Sequence, residues 1–159
     1  MTTLDRTTIK QRLRTLYPAL ESVPEERLDR LLEEGSIVQV KAGTVLFDDK
    51  SPCQAFPMLV EGTIRVSKVG ANGRELQLYR VVPGESCILT TSCLLGKVQY
   101  NARGVAETDV VAVALPQPVF GRLISDQEPF RNYVFSLFSE RIAELMQLVE
   151  AVAFQRLDQ

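Results

Sequence analysis

Between Ser36 and Pro116 the chain is a succession of short β-prone runs, each closed by a turn before it can lengthen. "SIVQVKAGTVLFDD" breaks at Ala42-Gly43. "AFPMLVEGTIRVSKVGANGRELQLYRVVPGE" breaks at Glu61-Gly62, at Gly70-Ala71-Asn72-Gly73 and at Pro83-Gly84. "YNARGVAETDVVAVALP" adds two runs around Glu107-Thr108-Asp109. Valine, isoleucine, tyrosine and phenylalanine fit a pleated, half-buried surface, and glycine, asparagine and proline punctuate it. Asn72-Gly73 predicts a hairpin, because both residues tolerate positive φ. At least seven strands at near-regular spacing follow, and they fit a sandwich, a jelly roll or a barrel.

Helical patterns flank this region. Residues 5–17 place Ile9, Leu13 and Leu16 near helical spacing, and Pro18 stops them. Residues 24–34 open on proline, carry acids early and end at Gly35. Pro116 ends the last strand and opens a further short helix, "PQPVFGRLISD". From Pro129 to Arg156 no residue breaks a helix, which gives a rod of roughly 40 Å. Phe135, Phe138, Ile142, Leu145, Val149 and Val152 follow the alternating three–four spacing of a coiled-coil seam. Val134, Leu137, Met146 and Leu148 add a second apolar flank. One flank suits the β-region and the other suits a second copy of the chain, so a homodimer is expected.

Composition removes whole classes of chemistry. The 159 residues include no histidine, which takes away the commonest general base and the commonest zinc or haem ligand. Three cysteines cannot close a four-ligand metal site without carboxylates or a second subunit. No catalysis, metal or cofactor is expected, and a cupin-like enzyme fails on its missing imidazoles. A net charge of −2 gives no field that would draw nucleic acid to these residues. No apolar run approaches the roughly 20 residues of a membrane span, and the N-terminus lacks a signal-peptide core. The cytoplasm is the expected compartment, and its thiols are normally reduced.

Residues 84–96, "GESCILTTSCLLG", are nearly free of charge, and Cys87 and Cys93 stand within them. Cys87 follows the turn at the expected start of a short helix, where exposed amides favour a thiolate. Cys93 lies six residues on, about 9 Å along a continuous helix, too far for a disulfide. A break around Thr90-Thr91-Ser92, whose hydroxyls compete for backbone hydrogen bonds, would bring the thiols together. Cys53, in "DDKSPCQAF", falls in a loop and is expected to be accessible. Cysteine also packs as a small hydrophobe. Three readings stay open: core residues, a thiol sensor of redox or reactive-sulfur signals, and an unidentified small ligand.

The glycine-punctuated "LVEGTIRVSKVGANGRELQLYRVVPGES", the long helix and the closing "VAFQRLDQ" resemble the sensor domain of Crp–Fnr transcription regulators. The resemblance implies N-terminal helices over 1–35, a jelly-roll (double-stranded β-helix) barrel over 36–126 and a dimerisation helix over 127–156. Residues 157–159 would begin the hinge to a helix-turn-helix domain. DNA would be bound only through that domain, which lies outside these residues. Cyclic-nucleotide-binding relatives carry a second Gly-Glu after the "PGE" turn, and an Arg-Ser-Ala whose arginine pairs with the phosphate. This chain keeps Gly84 and Glu85 but then reads Ile88-Leu89-Thr90, and it reads Tyr100-Asn101-Ala102 in place of the arginine motif. The family's adenine contacts would fall near Leu145 and Met146, which donate no hydrogen bond. Arg103 is the remaining cation, and strand alternation puts it on the face opposite Ala102. A neutral phenol does not replace a charged donor to phosphate, so cyclic AMP is not the expected effector. A cyclic-nucleotide or other small-ligand module is the alternative.

Overall fold

The structure is a computed structural model, and it describes residues 5–96 and 102–158, without the side chains at positions 88, 89, 92 and 93. Among the described residues seven strands form two antiparallel sheets: β1 (Ser36–Val40), β2 (Val45–Phe47), β3 (Ala55–Glu61), β4 (Ile64–Val69), β5 (Glu75–Val81), β6 (Arg103–Ala106) and β7 (Val110–Pro116). One sheet has the order β1-β7-β3 and the other β2-β6-β4-β5. The first four strands alternate between the sheets, so the chain wraps around a shared interior in a jelly-roll-like fold.

The three-stranded sheet is covered on both faces, which explains why β7 reads "VVAVALP" with almost no polar break. Val111, Val113 and Leu115 join Phe56, Met58 and Val60 of β3 in a core shared with the helices. Val110, Ala112 and Leu59 point the other way, into a second core with Ile64, Val66 and Val81 of the facing sheet. A period of two therefore feeds two cores from one sheet.

The helical layer consists of α1 (Arg6–Leu16), a single 3₁₀ turn (Pro18–Leu20), α2 (Glu25–Glu34), α3 (Ile88–Gly96), α4 (Gln117–Asp126) and α5 (Glu128–Leu157). The Asp5 carboxylate caps α1 by accepting from the Thr8 amide at 2.7 Å. Phe56 of β3 stacks on Phe120 of α4 with centroids 4.7 Å apart. Phe130 of α5 meets both rings edge-on, at 5.8 and 6.1 Å. Such contacts add about 0.5–1.5 kcal/mol per pair beyond their buried area. They fasten the root of the long helix to the sheet.

Beyond that root α5 stands clear. Phe130 and Val134 are its fully buried residues, and Phe138 packs partly against the helical core. Phe135, Ile142, Leu145, Val149 and Val152 are between 52% and 60% exposed. The second flank separates in the same way: Val134 is buried, and Met146 and Leu148 are exposed. No helix among the described residues is long and apolar enough to cross a membrane.

One turn differs from its expected form. The hairpin joining β4 to β5 closes with the Gly73 amide on the Gly70 carbonyl at 3.0 Å, and with the Gly70 amide on the Arg74 carbonyl at 2.8 Å. Only Gly73 of the Asn72-Gly73 pair takes positive φ, at 80°. Asn72 instead uses its side-chain oxygen to accept from the Arg74 amide at 3.2 Å. The loop is therefore one residue longer than a two-residue turn needs, with glycine at the left-handed position.

Candidate functional site

A cavity of about 290 Å³ lies between the two sheets. Its walls are hydrocarbon from both, with Val38, Ala112 and Ala114 on one side and Leu46, Phe47 and Ile64 on the other. Polar lining comes from Ser51 and Gln54 in the β2–β3 loop and from Cys87 and Thr90 at α3. No charged side chain lines it among the described residues. The alternation of β1 and β7 creates this space, because alanines at positions 112 and 114 leave room that larger residues would fill.

Cys87 occupies the N-cap position of α3, with its carbonyl accepting from the Thr91 amide at 3.0 Å. It is 1% exposed, so the thiol opens onto the cavity and away from bulk water. Its Sγ lies 3.3 Å from the phenol oxygen of Tyr79. The break at Thr90-Thr91-Ser92 that would bring the two thiols together is not present, and α3 runs unbroken from Ile88 to Gly96. Thr91 turns its hydroxyl inward, donating to the Cys87 carbonyl at 2.9 Å, so its competing hydrogen bond is made inside the helix. Cys93 is on the same helix, and its side chain lies outside the described part. Cys53 is half-buried against the helical core, less open than its loop position suggested.

Tyr79 carries the site outward. Its ring lies under the Arg141 guanidinium of α5, with Cζ 4.4 Å from the ring centroid. Arg141 Nη1 in turn donates to the Glu144 carboxylate at 3.0 Å. Cavity, thiol, phenol, guanidinium and long helix thus form an unbroken series of contacts.

The turn before α3 is held by two further tyrosines. Gly84 adopts φ 91°, a conformation that favours glycine. The Tyr133 hydroxyl, from α5, donates to the Gly84 carbonyl at 3.3 Å and lies 3.1 Å from Ser86 Oγ. Tyr17, at the end of α1, shares its hydroxyl proton between the carbonyls of Leu59 at 2.8 Å and Glu85 at 3.0 Å. The two rings meet edge-on at 5.9 Å. Burial pushes the Tyr133 phenol up to about 12, and burial followed by the neighbouring Tyr133 pushes Tyr17 higher still.

The remaining sequence candidates are dispersed. The Glu85 side chain is exposed beside the turn. Arg103 turns its guanidinium to Asp48, with Nε and Nη2 each 3.1 Å from a carboxylate oxygen. Leu145 and Met146 are 60% and 57% exposed on the free part of α5 and are not among the residues lining the cavity. Tyr100 and Asn101 lie outside the described residues. Sequence reasoning missed Tyr79, Arg141, Tyr17 and Tyr133. The available signal was a polar-tipped aromatic at an inward position of β5, two residues from buried Val81.

Two facing antiparallel sheets around a ligand-sized cavity, with a long helix trailing from the jelly roll, define the class of cyclic-nucleotide-binding-type β-domains. The profile of the cyclic nucleotide-binding domain matches residues 37–127, more than half of the chain, and the chain belongs to that family. No curated protein sequence matches it. Among solved structures, it is similar to the catabolite activator protein of Thermus thermophilus at 22% identity and a TM-score of 0.72, over 86% of this chain and 63% of that one. The sensor domain of the transcriptional regulator DNR from Pseudomonas aeruginosa aligns at 18% identity and 0.71, over 87% and 91% of the two chains. A Crp/Fnr-family regulator from Eubacterium rectale aligns at 24% and 0.72, over 86% and 63%. At these identities the likeness is one of fold. The chain spans less than two thirds of the Thermus and Eubacterium proteins.

Proposed function

We propose that this chain is the sensor domain of a dimeric, cytoplasmic transcription regulator of the Crp–Fnr type, and that its signal is not a cyclic nucleotide. The observation that carries the reading is the cavity between the sheets, without a charged side chain among the described residues and joined through Tyr79 and Arg141 to an exposed apolar helix. Two copies packed along Phe135, Ile142, Leu145, Val149 and Val152 would cover that helix. DNA contact would come from a following helix-turn-helix domain. A cyclic nucleotide needs a cation for its phosphate, and Arg103 is already engaged by Asp48. Isothermal calorimetry with cyclic AMP and cyclic GMP tests this. No heat of binding is expected, and a low-micromolar dissociation constant would restore the nucleotide module.

A thiol-based signal is the second reading, favoured by one observation: Cys87 faces a cavity that a small reagent can occupy. Oxidation or persulfidation there, with Cys93 as its partner, would require α3 to unwind between them. Mass spectrometry of the native protein after iodoacetamide separates the cases. Labelling of Cys53 alone makes Cys87 and Cys93 core residues and sinks the thiol sensor.

A further inference from the structure

We infer that the cavity binds a small, uncharged, largely apolar molecule carrying one hydrogen-bonding group, and that Tyr79 and Arg141 report its occupancy to α5. The inference rests on the sensor reading above and gives it a ligand class. An apolar cavity of about 150 Å³ is enough to hold benzene, and this one, at about 290 Å³, offers nearly twice that space. Its walls are the hydrocarbon of both sheets, and its polar groups are confined to the β2–β3 loop and the start of α3. A ligand charge would sit there unneutralised, since no lysine, arginine, aspartate or glutamate lines the space among the described residues. The ligand therefore gains affinity by covering apolar surface and directs its single polar group toward Cys87 and Thr90.

Its presence is felt at one sulfur. A molecule seated against Cys87 competes for the space and hydrogen bond that the thiol shares with Tyr79 at 3.3 Å. Tyr79 forms the face on which Arg141 rests at 4.4 Å, and Arg141 lies beside Ile142 of the exposed seam. A ligand shifts a two-state element only by preferring one state. Here the preference is set by whether Tyr79 stays under Arg141.

The test uses benzyl alcohol and benzoate, two probes of one skeleton that differ in charge. Methyl NMR of the whole chain should show benzyl alcohol shifting Val38, Ile64 and Val110, with benzoate at least about tenfold weaker. Ala112→Leu should abolish the shifts by filling the space, and Ala114→Leu does the same if the first variant does not fold. Tyr79→Phe should keep the binding but lose the benzyl alcohol response of the Ile142 methyl. Equal binding of both probes, or binding that persists in a folded, filled variant, overturns the ligand class. An Ile142 response retained in Tyr79→Phe overturns the relay. Sedimentation without probe tests the sensor reading separately: a monomer that still binds benzyl alcohol sinks that reading alone, and a dimer that binds neither probe sinks only this inference.

Discussion

Arg103 and Asp48 face each other across 55 positions of sequence as a bidentate pair, with both nitrogen–oxygen distances at 3.1 Å. Asp48 begins the turn that carries Lys50 at φ 69° and leads to Ser51 and Gln54 at the cavity. The Asp48 carbonyl closes that turn by accepting from the Ser51 amide at 3.0 Å. The cation that would be the obvious phosphate ligand thus pins the loop that lines the cavity.

Releasing this pin should expose the cavity. In Arg103→Ala, a small neutral thiol reagent such as methyl methanethiosulfonate should modify Cys87 several-fold faster than in the wild type, read by mass spectrometry at fixed times. An unchanged rate would show that the loop holds itself. Arg103 and the Asp49 amide keep the Asp48 carboxyl below its ordinary value. A depressed folded-state value contributes stability that is complete above the ordinary value of about 3.9 and is lost as pH falls through the lower folded one, so only acid below that depressed value releases the same pin.

The free face of α5 predicts assembly. Sedimentation at micromolar concentration should give a dimer. Leu145→Glu with Val149→Glu should give a folded monomer, because each would place an unpaired charge in the interface. A wild-type monomer would leave the exposed seam without its partner and refute the dimer.

The tyrosines around Gly84 predict behaviour in alkali. A phenol whose folded value is raised contributes stability that is complete below its unfolded value of about 10 and lost as pH rises through the folded one. For Tyr133 that window runs from about 10 up to about 12. Tyrosinate absorbance should therefore rise in two phases among the four tyrosines, with Tyr17 and Tyr133 ionising together with the loss of near-ultraviolet dichroism. A single phase near 10 without unfolding would show these phenols to be open to water.

Tyr17→Phe removes a hydroxyl that serves two carbonyls, a buried one at Leu59 and a partly buried one at Glu85. The loss should be about 1–3 kcal/mol, read as a lower urea midpoint with an unchanged slope. Because Glu85 is one of the two acceptors, the α3 amides should also exchange faster. A midpoint equal to that of the wild type would mean that water replaces the phenol.

The strand pattern and the helices α1, α2, α4 and α5 were legible because burial imposes periods of two and three to four on local sequence and proline marks the ends. The Cys87–Tyr79–Arg141 series was not. The β4–β5 pairing slips between Val66 and Ser67, so Val66 faces Tyr79 whereas Ser67 faces Gln77. Strict alternation from Val81 would have put Gln77 and Glu75 inside, and both are exposed. Such a bulge leaves no mark in composition, and it breaks the alternation just beyond the side chain that meets α5. Arg103 could be placed on its face from Ala102, but Asp48 as its partner depends on two strands meeting across the sheet.

The firm grip on α5 near its root gives the helix a mechanical advantage. From Val134, Arg141 is seven residues along and Leu157 is 23, or about 10 and 35 Å at the helical rise. If the helix pivots at Val134, a sideways displacement at Arg141 grows about threefold by the far end. Loss of one ring's thickness beneath the guanidinium, about 3.5 Å, would swing Leu157 through roughly 10 Å. A contact between two side chains would thereby become a movement as wide as a helix.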